Sequence, residues 1–306
     1  MSELRVGLIG AGVFAGYHAQ KIVQFENAVF MGVFDLNPEA AQAVVDKVGA
    51  GEVVDDIDTL ILVCDAIMIA TPATTHAQLA SRVLRAGRHV FVEKPLALTG
   101  IEADTLVALA DEKGATIQVG HQERFVFEAM GILGAPEKPL SIEAVRAAPR
   151  SPTGRCEDVS VVFDLMVHDI DLANAVFDAK GAVDKASGKI EHSKCTDEAH
   201  AEIQYEGGGV AKFTASRCAP ERKRTMKIVY PSGVVEIDFL ARSVKNETGF
   251  DIKLDVSDVL PDPLQKSDFA FFQAAIDEVP SPISGEAGAR AAALAEAVEN
   301  AISKQA

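Results

Sequence analysis

The sequence predicts an α/β protein in two parts. Residues 1–120 form a doubly wound parallel sheet, and residues 121–306 form a second part with helices and an antiparallel sheet. Three observations carry this. Short apolar segments alternate with amphipathic ones from Leu4 to about Gly120, the rhythm of a parallel sheet with helices on both faces. The first apolar segment runs into the glycine series Gly10-Ala11-Gly12. After His121 the rhythm becomes one long apolar helix followed by segments with a period of two.

The strand at 4–9, its glycine turn and a helix over 14–25 make the first βα unit of a dinucleotide-binding Rossmann domain. Gly10 permits the tight turn. Gly12 has no Cβ and lets the backbone approach a pyrophosphate. The helix opening at Val13 and Phe14 aims unpaired N–H groups and its positive dipole end at the phosphates. Ala15 fills the third small position. The strand 28–34 ends in Asp35, about 20 residues past the glycines, where a carboxylate accepts from ribose hydroxyls and repels a 2′-phosphate. Leu36 and Asn37 offer no cation to such a phosphate, so the expected cofactor is NAD rather than NADP. A helix over 38–48 follows. Strands over 66–70, 89–92 and 116–119 then alternate with helices over 75–86 and 99–113. Ligands of such sheets bind at the carboxyl ends of the strands. Besides the glycines and Asp35, those ends carry Thr71-Pro72, Glu93-Lys94-Pro95 and Gly120-His121, so Glu93, Lys94 and His121 are expected beside the cofactor.

Past 121 a mostly apolar helix is expected over 159–177. Turn signals at Gly207-Gly208-Gly209, Cys218-Ala219-Pro220 and Pro231-Ser232-Gly233 separate the strands that follow. Val235, Ile237 and Phe239 alternate with Glu236 and Asp238, which reads as an antiparallel meander with one covered face. Helical segments over 266–276 and 285–304 close the chain. The active site is expected in the cleft between the two parts.

Composition narrows the function. A hydrophobic share of 48% and a charged share of 24% are ordinary for a soluble globular protein, and 306 residues suffice for two cores. The 45 acidic residues against 29 basic ones give a formal net charge of −16, which argues against nucleic acid and anionic membrane as partners. Cys64, Cys156, Cys195 and Cys218 form no CxxC pair, so neither a zinc site nor a disulfide framework is expected. The start of the chain has no basic segment before an apolar one, and no apolar stretch spans a bilayer, so a cytoplasmic location is expected.

Two places carry residues suited to acid–base chemistry. Pro95 keeps Lys94 out of the helical region at a strand end, where a desolvated lysine exchanges a proton with a substrate hydroxyl. A solvated loop lysine is the plain alternative. In the helix 159–177, Asp164, His168 and Asp171 stand at i, i+4 and i+7 on one face. Their neighbours are so apolar that the helix is expected to be buried and its polar residues paired or functional. Asp164 is expected to hold His168 in one tautomer while His168 takes a hydroxyl proton. A metal held by Asp164, His168 and Asp171 is conceivable, but no further ligand cluster supports it and none is expected. Arg146, Arg150 and Arg155 precede this helix, and Arg217, Arg222, Lys223 and Arg224 surround the Cys218 turn. With Arg124 they are candidates for gripping an anionic substrate, or else for neutralising nearby carboxylates.

In chain order, GAGVFAGYH from Gly10, ATPATTH from Ala70, GRHVFVEKPLA from Gly87 and DLMVHDID from Asp164 resemble the Gfo/Idh/MocA oxidoreductases. The resemblance covers nearly the whole chain. It implies an N-terminal Rossmann domain and a C-terminal α/β domain with an open, mostly antiparallel sheet, joined into homodimers or homotetramers. It further implies Lys94 as the catalytic lysine, His168 as the base and Asp164 as its partner at the substrate, with Thr71, Pro72 and His76 lining the cofactor cleft. Gly120-His121-Gln122-Glu123-Arg124-Phe125 departs from the commoner Asn-Tyr-Arg-Phe-like stretch. That variant, with the DLMVHDID helix, is similar to a smaller group of nucleotide-sugar dehydrogenases. These oxidise the 3-hydroxyl of UDP-N-acetylglucosamine in making diamino-sugars for lipid A. The expected reaction is therefore NAD-dependent oxidation of a secondary hydroxyl of a sugar or nucleotide sugar, with Arg124, Arg150, Arg155, Asp164 and His168 at the substrate. A polyol such as an inositol is the alternative substrate. A cofactor-binding regulator without chemistry is the alternative of another class, against which Lys94, Asp164 and His168 together argue.

Overall fold

The computed structural model describes residues 3–304 apart from 153, 155 and 254. The chain forms two compact units, 1–122 with 262–289, and 123–261 with 290–306.

The first unit is built on six parallel strands: β1 (Leu4–Ile9), β2 (Ala28–Phe34), β3 (Glu52–Val53), β4 (Ala66–Ile69), β5 (His89–Val92) and β6 (Ile117–Val119). Their order, β3-β2-β1-β4-β5-β6, reverses between β1 and β4, which makes the carboxyl ends of those two strands the switch point where ligands bind. β4 is buried at every residue, as a strand covered on both faces must be. Between the strands run α1 (Val13–Gln24), α2 (Pro38–Val48), α3 (Ile57–Val63), α4 (His76–Arg85) and α5 (Gly100–Lys113). Local signals set their ends. Asn37 accepts from the N–H groups of Glu39 and Ala40 at the start of α2, Pro38 occupies its first turn, and Gly49 ends it in the left-handed conformation.

Neither β3 nor α3 left a sign in the sequence pattern. β3 is only two residues long, and α3 is apolar on both sides, with Leu60 and Ile61 buried but Leu62 exposed. Neither has a period to detect.

The second unit holds α6 (Glu123–Met130), α7 (Val167–Phe177) and a mixed sheet of seven strands. These are β7 (Ser141–Ala147), β8 (Gly181–Lys189), β9 (Glu198–Tyr205), β10 (Val210–Ser216), β11 (Lys223–Tyr230), β12 (Gly233–Asp238) and β13 (Ser243–Asn246). Every neighbouring pair is antiparallel except β7 with β10. Ile142, Ala144, Ile203, Phe213, Ile228 and Val235 are buried on one face, while Glu143, Lys212, Lys227 and Glu236 are exposed on the other. The expected helix over 159–177 is α-helical only from Val167; Val162–Met166 is a π-helical turn.

The chain then returns to the first unit in α8 (Pro263–Asp277). Phe271, Phe272 and Ala275 of α8 share a core with Leu8, Ala15 and Ile22. A division at residue 120 alone misses this return, because nothing local in 262–289 distinguishes it from the segments around it. α9 (Gly285–Ser303) follows, and from Arg290 onward it belongs to the second unit. No helix among the described residues is long and apolar enough to cross a membrane.

Candidate active site

In the first unit the carboxyl ends of β1 and β2 form a nucleotide cradle. Gly10 has a φ of +100°, and a Cβ there would lie 2.6 Å from the carbonyl oxygen of Ala70, so only glycine makes this turn. At Gly12 a Cβ would meet nothing within 4 Å. Glycine at that position therefore answers to a group outside the chain. Gly12 caps α1 without a side-chain bond, and the first turn carries no acidic residue to compete with an anion at its positive end. Asp35 is held at both oxygens. Oδ2 accepts from the Ala11 N–H at 2.7 Å and Oδ1 from the Asn37 N–H at 2.8 Å. Each oxygen keeps a lone pair for a ribose hydroxyl. Val13 and Leu36 beside it are 65% and 92% exposed. The set fits NAD: the start of α1, with Val13 and Phe14 behind Gly12, would hold the pyrophosphate, and Asp35 the ribose.

At the ends of β4 and β5 the roles differ from expectation. The hydroxyls of Thr71 and Thr75 bond at 2.7 Å, and Thr75 Oγ1 donates to the Pro72 carbonyl at 2.7 Å. His76 is buried, with Nδ1 at 2.7 Å from the Pro95 carbonyl and Nε2 at 2.9 Å from the Thr71 carbonyl. Its ring ties the loop after β4 to the loop after β5 and does not line the cleft. Glu93 likewise turns inward. Its Oε1 lies 3.1 Å from Nε2 of His18, and its Oε2 accepts from the Lys94 N–H at 3.3 Å. Lys94 itself is half-buried, followed by a cis peptide bond to Pro95. A Cβ at Gly120 would come within 2.9 Å of the Glu93 carboxylate, so the glycine after β6 makes room for that side chain. His121 beside it is buried.

Sequence reasoning missed His18 and Asp268. His18, in the middle of α1, is fully buried with Nδ1 at 2.8 Å from Oδ2 of Asp268 in α8. Burial opposes its charge, but the two carboxylates, Asp268 foremost, outweigh that and push the imidazole up to about 10. His18 stood in the GAGVFAGYH segment, but its partner is 250 residues away and left no local sign.

The second unit carries a charge network around Glu123 at the start of α6. Arg146 bonds Asp169 at 3.0 and 2.8 Å and Glu123 at 3.3 and 2.8 Å. Arg224 also pairs with Glu123 and lies 4.7 Å from the Phe239 ring centre. Nδ1 of His168 is 3.5 Å from Oε1 of Glu123. Burial favours the neutral acid, yet Arg146, His168 and Arg224 hold Glu123 well below the usual carboxylate range. Asp171 accepts a bidentate pair from Arg124 at 2.7 and 2.6 Å. Asp164 lies half-buried within the π turn, so the single α-helical face expected for Asp164, His168 and Asp171 is not formed. With Asp171 committed to Arg124, the metal alternative loses a ligand. Among the described residues, the ligand atoms grouped within 4.8 Å of one another are those of Glu191, His192 and Cys218, on the surface.

Two more of the candidate arginines have carboxylate partners. Arg150 pairs with Glu157 at 2.7 and 3.1 Å on the surface. Buried Arg217 meets Asp197 at 2.9 Å and donates to the carbonyls of Val159 and Thr196. Arg155 lies outside the described residues.

Comparison with known proteins agrees with this architecture. Residues 4–121 match an oxidoreductase family with an NAD-binding Rossmann fold, and residues 138–236 match the GFO/IDH/MocA C-terminal domain. The chain is 35% identical to a UDP-N-acetylglucosamine 3-dehydrogenase of Acidithiobacillus ferrooxidans over 78% of its own length and 75% of the relative's. A solved structure of the enzyme of that name from the same organism superposes with a TM-score of 0.87 at 32% identity, covering 99% of both chains. An inositol 2-dehydrogenase of Rhizobium meliloti is 30% identical over 56% of this chain and 54% of its own.

Proposed function

The chain belongs to the GFO/IDH/MocA oxidoreductase family, and from that premise we propose that it oxidises the 3-hydroxyl of UDP-N-acetylglucosamine. It is an NAD-dependent dehydrogenase of CH–OH groups. The observation that supports this substrate is the sequence similarity to the UDP-N-acetylglucosamine 3-dehydrogenase, 35% over 78% of the chain, against 30% over 56% for the inositol 2-dehydrogenase.

When bound, NAD supplies the acceptor for the hydride of the carbinol carbon. The residues of the chain hold it and manage the proton. Gly12 and the start of α1 bind the pyrophosphate, Asp35 binds the ribose, and His76 fixes the loops around Thr71 and Pro72. The hydroxyl proton passes to His168 or Lys94, with Asp164 orienting the sugar. His168 is steadied at Nδ1 by Glu123. Arg150 is the residue in view for the diphosphate. Its pair with Glu157 is a surface one, 48% and 21% exposed, weak enough for a phosphate to displace. Arg155 is its companion in sequence. The same reading makes the protein a cytoplasmic enzyme acting as a homodimer or homotetramer, with its product entering diamino-sugar synthesis.

The test is to mix the protein and NAD with UDP-N-acetylglucosamine, free N-acetylglucosamine or inositols and follow the absorbance of reduced nicotinamide. UDP-N-acetylglucosamine is expected to reduce NAD far faster than the others. Equal or faster turnover of an inositol would replace this reading with that of a polyol dehydrogenase.

A further inference from the structure

We propose that Asp268, His18 and Glu93 form a buried hydrogen-bonded chain that positions Lys94, an inference that deepens the dehydrogenase reading and rests on it. The chain starts at Asp268 on α8, crosses α1 through both ring nitrogens of His18, and reaches Glu93 at 3.1 Å. The second oxygen of Glu93 then accepts from the backbone N–H of Lys94. Each step fixes the next. A carboxylate only accepts, so two carboxylate contacts require both ring nitrogens of His18 to donate, and the ring is an imidazolium. Phe91 closes its edge, with ring centres 5.1 Å apart.

The groups that bear on His18 come from every element around it. Asp268 faces it from α8 and Glu93 from the end of β5. Lys21 acts on Asp268, and Lys94 and His76 act on Glu93. Stability alone does not call for such a cluster. Buried ion pairs are costly to desolvate, and apolar residues of the same size usually serve as well. What the cluster provides is direction. The helix that carries His18 is also the helix that opens at Gly12. One rigid element therefore connects the pyrophosphate cradle to the backbone of Lys94, and α8, returning from far along the sequence, locks it there. His18, Glu93 and Asp268 are positioning residues: they act through Lys94.

The test uses the full-length protein and the variants His18→Gln and Asp268→Asn. The Asp268→Asn change keeps an oxygen for the Nδ1–H donor and removes the charge. Turnover of UDP-N-acetylglucosamine is expected to fall roughly 10-fold or more in kcat, while KM for NAD and for the sugar stays within about threefold. A purely structural role would lower both or neither. A second readout needs no substrate: the rate of Lys94 acetylation by acetic anhydride in the free protein, read by peptide mass spectrometry, with exposed Lys113 as internal control. Lys94 is expected to react about threefold faster or more in the variants once its anchor is lost, with Lys113 unchanged. If His18→Gln does not fold, Asp268→Asn and Glu93→Gln carry the test. Labelling and kcat both within about twofold of the unmodified protein would overturn the proposal. Altered Lys94 labelling in a protein that never turns over UDP-N-acetylglucosamine would support the positioning chain and reject the substrate instead.

Discussion

Replacing Asp35 by Ser removes the one carboxylate in the nucleotide cradle, and its effect can be worked out from the hydrogen bonds. Both oxygens are already oriented, by Ala11 and Asn37, with one lone pair each left over. Two charge-assisted bonds to the ribose hydroxyls contribute about 1.5–3 kcal/mol each in buried settings. Asp35 is only half-buried, so water competes and the lower end applies. About 3 kcal/mol, or roughly 150-fold in NAD affinity, should be lost. NADP responds oppositely. A phosphate charge about 4 Å from the carboxylate, at an effective dielectric of about 20, is disfavoured by about 4 kcal/mol, roughly 1,000-fold. Asp35→Ser removes that penalty. Adding Leu36→Arg, at a position 92% exposed, places a guanidinium fork for the 2′-phosphate. The unmodified protein should thus prefer NAD strongly, the single variant should hardly discriminate, and the double variant should prefer NADP. Calorimetric titration with each cofactor at low and high salt measures this, and salt should shrink the NADP penalty. The loss of acceptors for Ala11 and Asn37 should lower stability by only about 1 kcal/mol, since water can replace them. Comparable affinity of the unmodified protein for NAD and NADP would refute the reasoning. So would an Asp35→Ser variant that binds both cofactors as the parent does.

Lys94→Met and His168→Ala should each lower kcat by roughly 100-fold or more while NAD affinity, measured by titration without substrate, changes little. Arg146→Ala strands Asp169 and leaves Glu123 to Arg224, so urea unfolding should show a loss of about 3–5 kcal/mol. His18, pushed up to about 10, contributes stability that is complete below about pH 6.5 and is lost as pH rises through about 10. The Tm should therefore fall across that interval, and fall less in His18→Gln. Glu123, held well below its ordinary value, acts in the other direction: its contribution is present above about pH 4.5 and drains as the pH falls below it. Glu123→Gln should flatten the acid limb of the stability curve.

The parallel sheet was legible because its long strands are largely apolar runs and the helices read between them carry a cap or an amphipathic face. β7 was not, and Arg146 is the reason. It lies on the covered face with Ile142 and Ala144, where the pattern expects an apolar residue, because Asp169 and Glu123 receive it there. The positions of the glycine turn and Asp35 at the ends of β1 and β2 were legible, since their neighbours in space are also neighbours in sequence or one strand away. Glu93 was found at the correct strand end but with the wrong orientation, because its partner His18 is itself held by Asp268 from α8. The Asp164–His168 pairing assumed α-helical spacing, and a π turn has no marker in side-chain chemistry. A carboxylate beside His168 comes from α6, at Glu123 in the segment where the sequence departs from the family pattern.

The arginines show why charge counted along a sequence differs from charge available in a fold. A chain with 16 more negative than positive charges invites the idea that each clustered arginine waits for a phosphate. In the second unit the opposite holds. Glu123 and Asp169 together carry two negative charges, and Arg146 and Arg224 return two positive ones, so the network behind His168 is neutral. Arg124 and Asp171 cancel as well. Buried cations of this kind cannot be redirected to a ligand without leaving a carboxylate stranded, a cost larger than a phosphate contact returns. They can only fix geometry. Recruitment of an anionic substrate therefore falls to cations whose partners are wet, where exchanging one carboxylate for a phosphate is nearly free. Arg150 meets that condition, and Arg146 and Arg217 do not. Arg150→Ala should accordingly raise KM for a nucleotide sugar severalfold with kcat and Tm unchanged, whereas any change at Arg146 or Arg217 should be seen first in stability.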